Sequence, residues 1–228
     1  MAPLFTGETM QSPMLAPLIE HTLLQPTAGA KEIEVLCSQA RHYHFHGVCV
    51  QPHWVRLAAE RLVGSEVKVV SVAGFPHGAN VPLVKAEEAA LAVAHGASEI
   101  DVVANLAWIE ARHFDEIRAE IALIRAAVPK AVLKVILETG YFDTDKVSRA
   151  AEMAIAGGAD FLKTSTGFGP RGATVEDVRL LSQAAAGRAR IKAAGGISNH
   201  QEALEMVRAG ASRIGTSKGP ALVGGEHS

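Results

Sequence analysis

Short apolar runs alternate along the chain with longer segments in which apolar residues recur at i, i+3 and i+4. The short runs read as strands near Leu18–Leu23, Gly47–Gln51, Val67–Gly74, Glu99–Ala104, Val132–Glu138, Asp160–Thr166, Arg190–Ala194 and Arg213–Thr216. The periodic segments read as helices over Lys31–His44, Pro52–Leu62, Leu83–His95, Ile109–Val128, Thr144–Ala156, Val175–Ala185 and His200–Ala209, with Ile117, Ile121 and Ile124 as an example of the spacing. Glycines supply the expected stops at Gly47, Gly96, Gly157 and Gly210. A small-Gly-Ala phrase recurs before strands, in HGASEIDV, GGADFLKT and AGASRIGT. Strict strand–helix alternation predicts a parallel sheet covered by helices. Eight strands in 228 residues favour closure into a single α/β domain, a (β/α)8 TIM barrel, over an open doubly wound sheet. Residues 15–228 are assigned to the barrel and 1–14 to a short N-terminal extension.

Composition narrows the picture. Twenty-two basic and 24 acidic residues leave a formal charge of −2, so no basic field calls for nucleic acid. No apolar run approaches the roughly 18 residues of a membrane span. The N-terminus lacks the basic and apolar regions of a signal peptide. Cys37 and Cys49 form neither a disulfide framework nor a metal-ligand spacing, which suits a reducing cytoplasm.

Candidate chemistry comes from charges set into the strands. Asp101 in EIDVV, Lys134 in VLKVIL, Lys163 in DFLKTST and Lys192 in RIKAAGG lie on four successive strands, 33, 29 and 29 residues apart. One β/α unit spans about 30 residues, so the charges fall at similar heights. Single lysines usually snorkel to the surface. Four charges in phase point instead to a shared interior, where burial is costly unless the groups pair or are used. A lysine nucleophile must lose its proton, and desolvation and a neighbouring cation both favour the free amine. Lys163 beside Lys192 is such an arrangement, with Asp101 able to move protons. The spacing does not decide which lysine attacks.

Two glycine-bearing loops mark the other end of a site. Gly195-Gly196 follows the seventh strand and Gly215-Thr216-Ser217 the eighth. Loops at these positions often bind phosphate in α/β barrels. Thr166-Gly167 after the sixth strand and Lys218 are further candidates. The run His42-Tyr43-His44-Phe45-His46 invites a metal reading, but its histidines do not share one helix face and no acidic residue or cysteine completes a set. It is read as a solvated helix end, and no metal or other cofactor is expected.

With these motifs in view, the chain resembles the deoxyribose-phosphate aldolases. The likeness runs from IEHTLLQP to ASRIGTS and is sharpest in GFPHGAN, EIDVV, KVILETGY, GADFLKTSTGFG and KAAGGI. It implies reversible, metal-free cleavage of 2-deoxyribose 5-phosphate to glyceraldehyde 3-phosphate and acetaldehyde by a cytoplasmic homo-oligomer. It also implies that Lys163 forms the Schiff base, Lys192 perturbs it and Asp101 relays protons. By the same resemblance Gly167, Gly195, Gly196 and Ser217, with Thr166, stand on the phosphate side, and Cys49 and Lys134 line the site. The chain departs from the family's usual pattern at Glu20, where Asp is common, and at Gln25, Gln51, Ser198 and Lys218. A related lysine aldolase acting on another sugar phosphate is the alternative within enzymes. A barrel that binds sugar phosphates without turnover is the alternative outside them, disfavoured by the intact Asp101, Lys163 and Lys192.

Overall fold

The apolar runs form strands because nearly every residue in them is enclosed, by the barrel interior on one side and by helices on the other. In the computed structural model, which describes residues 15–224, the strands are β1 (Ile19–Leu23), β2 (Gly47–Val50), β3 (Lys68–Ala73), β4 (Glu99–Val103), β5 (Val132–Ile136), β6 (Phe161–Lys163), β7 (Arg190–Ala194) and β8 (Arg213–Thr216). They pair in parallel in chain order, and β8 closes onto β1. The proposed extension 1–14 lies outside the described residues.

The covering helices are α1 (Ala30–His42), α2 (Val55–Arg61), α3 (Pro82–Ala94), α4 (Leu106–Glu110), α5 (Phe114–Ala127), α6 (Thr144–Ala156), α7 (Val175–Ala185), α8 (His200–Ala209) and a final short turn, α9 (Gly219–Leu222). Several begin on local caps. Asp143 accepts from the Lys146 N–H, Asn199 accepts from the Glu202 N–H, and Thr174 and Asp177 bond each other's backbone N–H groups. The greasy stripes Ile117, Ile121, Ile124 and Val147, Ala150, Ala151, Ala154 are buried in one continuous core between the helices and the sheet.

Three sequence expectations change. The helix expected over Ile109–Val128 is two, because Asn105 starts α4 early and Arg112 turns left-handed (φ 60°) after it. The glycine stops hold at Gly96 and Gly210, both left-handed. After α6, however, the left-handed residue is Gly158, and after α1 it is His44. Gly47 is already in β2, where a Cβ would fall 2.7 Å from the Lys68 carbonyl oxygen. Lastly, β6 is shorter than Asp160–Thr166. At Thr164 a side chain adds to the backbone pairing: its hydroxyl donates to the carbonyl and accepts from the N–H of Ala194.

Behind β3 and β4 sits a buried ion pair that the sequence does not advertise. Lys85 Nζ lies 2.7 Å from Glu120 Oε1 and donates to the Val103 carbonyl at 2.8 Å. Glu120 in turn accepts from the Asn105 N–H. The pair therefore fastens the upper end of β4 to α3 and α5. Burial pulls the Lys85 ammonium down and pushes the Glu120 carboxyl up, so each depends on the other. Breaking a buried pair from one side costs about 3–5 kcal/mol, whereas replacing both partners by apolar groups is often neutral. Lys85→Met alone should therefore lose about that much in urea denaturation, and the Lys85→Met, Glu120→Leu double variant should recover most of it.

Candidate active site

Strand alternation puts Asp101, Lys134, Lys163 and Lys192 on interior faces, and they converge on one carboxylate. Lys134 Nζ lies 2.9 Å from Asp101 Oδ1; Lys163 and Lys192 lie 2.8 and 2.6 Å from Asp101 Oδ2. All four groups are buried. The four do not form a single row. Asp101 is registered against Lys134, but Lys163 pairs with Ile136, two residues beyond Lys134, and with Lys192 on the other side. Equal spacing in sequence thus becomes a stagger, as barrel closure requires.

A second carboxylate supports the first. Glu20 on β1 accepts a short ion pair from Lys192 and stands 3.4 Å from Lys134 and from Arg213 Nε. Below it, Glu99 Oε2 is 2.6 Å from Lys134, and Glu99 Oε1 is 2.8 Å from His46 Nε2. Burial works against the charges of Asp101, Lys134 and Lys192, and their neighbours overturn it. Burial would raise the Asp101 carboxyl, yet Lys134, Lys163 and Lys192 hold it well below the usual carboxylate range. Burial likewise opposes the Lys192 and Lys134 ammonium groups, but Asp101 and Glu20 hold both above the ordinary lysine range. These two lysines therefore remain cations.

Lys163 differs from them in access. It lines a cavity of about 330 Å³ at the C-terminal mouth of the barrel, while Lys134 and Lys192 are sealed beneath. The cavity runs from Lys163 to the loops after β6, β7 and β8. Thr166, Gly167, Gly195, Gly196 and Ser217 all line it, with Ser198 and Lys218 at the same end. Gly167, Gly195 and Gly196 are left-handed (φ 85°, 90° and 79°), so bare backbone faces the cavity there. The loop also leaves no room: a Cβ on Gly172 would fall 2.2 Å from the Gly195 carbonyl oxygen. The Ser198 hydroxyl donates to Glu202.

Cys49 and Lys134 adjoin the charged set without bordering the cavity itself. Cys49 packs with Leu24, Val70 and Val72 beside Lys192, Asp101 and Lys163, and burial pushes its thiol up to about 11. Lys134 serves the carboxylates from below, because its position on β5 is too deep to meet the cavity.

Other residues matter that the sequence reading passed over. His46 is not a solvated helix end; it is half-buried and bonded to Glu99 across 53 residues. Glu138, at the end of β5, is left-handed (φ 48°) and buried, and its Oε2 accepts from both the N–H and the hydroxyl of Thr166. The Thr166 hydroxyl then accepts from the Phe168 N–H, which fixes the loop that bears Gly167. A carboxylate ending an apolar run was the available signal for Glu138. Glu20, His46 and Glu99 bring oxygen and nitrogen atoms within 4.8 Å of one another, a spacing a metal could use. Lys134 and Arg213 already neutralise those carboxylates.

Comparisons with known proteins agree with this geometry. The model of the DeoC/LacD family aldolases matches residues 15–223. A deoxyribose-phosphate aldolase of Thermus thermophilus is 54% identical over 93% of this chain and 96% of its own length. One from Deinococcus radiodurans is 48% identical over 92% and 96%. A solved deoxyribose phosphate aldolase from Aeropyrum pernix, described as tetrameric, superposes with a TM-score of 0.87 at 32% identity, covering 94% of this chain and 91% of that one.

The clustered charges yield a pH prediction. Asp101's folded-state value lies below its unfolded value of about 3.9. Its contribution to stability is thus fully present above that pH and is lost as pH falls through the folded value. Asp101→Asn should be less stable by about 3–5 kcal/mol at pH 7. In urea titrations the gap to the wild type should narrow as the pH is taken below about 4.

Proposed function

Since the chain belongs to the DeoC/LacD family of aldolases, we propose that it cleaves 2-deoxy-D-ribose 5-phosphate reversibly to D-glyceraldehyde 3-phosphate and acetaldehyde through an imine on Lys163. One observation carries the assignment of the nucleophile: of the three lysines on Asp101, only Lys163 borders the cavity.

The steps follow from the groups in place. The Lys163 amine attacks the C1 aldehyde carbon. Asp101 Oδ2, 2.8 Å from Nζ, carries the amine's proton to the C1 oxygen, and a second proton, from solvent in the open cavity, lets the resulting hydroxyl leave as water and the nitrogen become an iminium. The resulting iminium draws electrons from the C2–C3 bond. That bond breaks as the C3 hydroxyl gives its proton to the Asp101 carboxylate, releasing glyceraldehyde 3-phosphate and leaving an enamine on Lys163, whose C2 then receives that proton. Addition of water then releases acetaldehyde. Asp101 suits this traffic because its lysine partners keep it a carboxylate at rest, so a proton it accepts passes on. Lys192 stays charged and holds that carboxylate in place.

The phosphate lies at the opposite end of the same cavity. Bare backbone at Gly167, Gly195 and Gly196 allows oxygens to approach closely, and Ser217 and Lys218 border the same space. Among the residues lining this cavity, Lys218 is the one basic side chain besides Lys163. Among the described residues, no helix is long and apolar enough to cross a membrane. We place the reaction in the cytoplasm and read the active protein as a homo-oligomer. Two buried free thiols suit the former, and the tetrameric relative supports the latter.

The test is turnover of deoxyribose 5-phosphate with both products measured. Equal amounts of acetaldehyde and glyceraldehyde 3-phosphate are expected. Lys163→Met should lower kcat by at least about 1,000-fold, and Asp101→Asn by about 100-fold or more. Tight binding without product would favour the non-catalytic barrel. Faster cleavage of a different sugar phosphate would reassign the substrate.

A further inference from the structure

The floor of the barrel contains a chain of charged groups whose lower members, Lys134, Glu99 and His46, the reaction scheme leaves unused. From the cavity downward it runs from Lys163 to Asp101, Lys134, Glu99 and His46, with separations of 2.8, 2.9, 2.6 and 2.8 Å. Glu20 and Arg213 flank it. Its upper members are buried, and His46 emerges at the base of β2 with its side chain 19% exposed. Counting charges shows why the lower part matters. Glu20, Glu99 and Asp101 supply three carboxylates, and Lys134, Lys192 and Arg213 supply three cations. The set is neutral when Lys163 is the free amine that the chemistry requires.

Lys134 is the swing member. Its ammonium is divided among Glu99 at 2.6 Å, Asp101 at 2.9 Å and Glu20 at 3.4 Å. How far it leans toward Asp101 depends on how well Glu99 is satisfied elsewhere. The His46 N–H is the partner that satisfies Glu99 Oε1; Arg213 stands farther off, at 4.0 Å. Without His46, Glu99 would draw Lys134 toward itself, and Asp101 would lose the ammonium that fixes its Oδ1. Its Oδ2, which serves Lys163, would lose its aim.

We propose that His46 and Glu99 are positioning residues for catalysis, acting through Lys134 on Asp101 from the floor of the barrel. The proposal rests on the Lys163 imine reading, and wild-type turnover separates the two: no wild-type cleavage sinks that reading, whereas normal cleavage leaves the proposal to the variants. The experiment compares steady-state cleavage of deoxyribose 5-phosphate by His46→Leu, His46→Gln and Glu99→Gln, with folding followed by circular dichroism and thermal unfolding. His46→Leu and Glu99→Gln should each lower kcat by about tenfold with KM within about twofold, since the cavity lining is untouched. His46→Gln keeps an N–H donor and should recover most of the kcat that His46→Leu loses. Either of two results would overturn the proposal: folded His46→Leu and Glu99→Gln proteins with kcat within about twofold of wild type, or activity that falls only in proportion to the loss of folded protein.

Discussion

A single carboxylate, Asp101, is bonded to three lysines that arrive from β5, β6 and β7. Such a cluster inside a barrel is expensive to desolvate, and each group is tolerable only because its partners are fixed within hydrogen-bonding distance. The fold meets that condition by rigid means. Parallel closure sets the register Asp101–Lys134 and Lys163–Lys192, and the helices seal the outer face so that little water reaches the strands. The site's chemistry follows from the same constraint. Two of the lysines are locked as ammonium groups by Asp101 and Glu20, and the third opens onto substrate space.

The sequence made much of this visible because charges stand out in apolar strands. Asp101, Lys134, Lys163 and Lys192 were legible as an interior set from phase alone. Their depth was not. Alternation identifies which face a residue occupies but not its layer, so it does not tell that Lys163 borders the cavity while Lys134 and Lys192 do not. The strand and helix order was legible throughout. The break between α4 and α5 was not, because it depends on Arg112 adopting a left-handed conformation that a long side chain rarely takes. Partners remote in sequence were the hardest to see. Nothing local connects His46 to Glu99, or Lys85 to Glu120, and each reads alone as a surface residue.

The departures from the family's usual residues take on meaning in this setting. Glu20 keeps the carboxylate expected of an Asp, and its longer side chain reaches Lys192 while staying near Lys134 and Arg213. It thus joins the upper and lower parts of the charged set. At the mouth of the barrel, Ser198 turns to Glu202, and Lys218 stands on the adjacent loop. The cavity and the floor divide the work. Bare glycine backbone and the Lys218 side chain line the rim of the cavity, while ion pairs hold Lys163, Lys192 and Asp101 together below.

Borohydride reduction in the presence of acetaldehyde, followed by peptide mass spectrometry, addresses the central claim directly. This account predicts one reduced adduct, confined to the peptide bearing Lys163 and absent from Lys163→Met. An adduct on Lys192 or Lys134, or a folded, acetaldehyde-treated protein with no adduct at all, would contradict it.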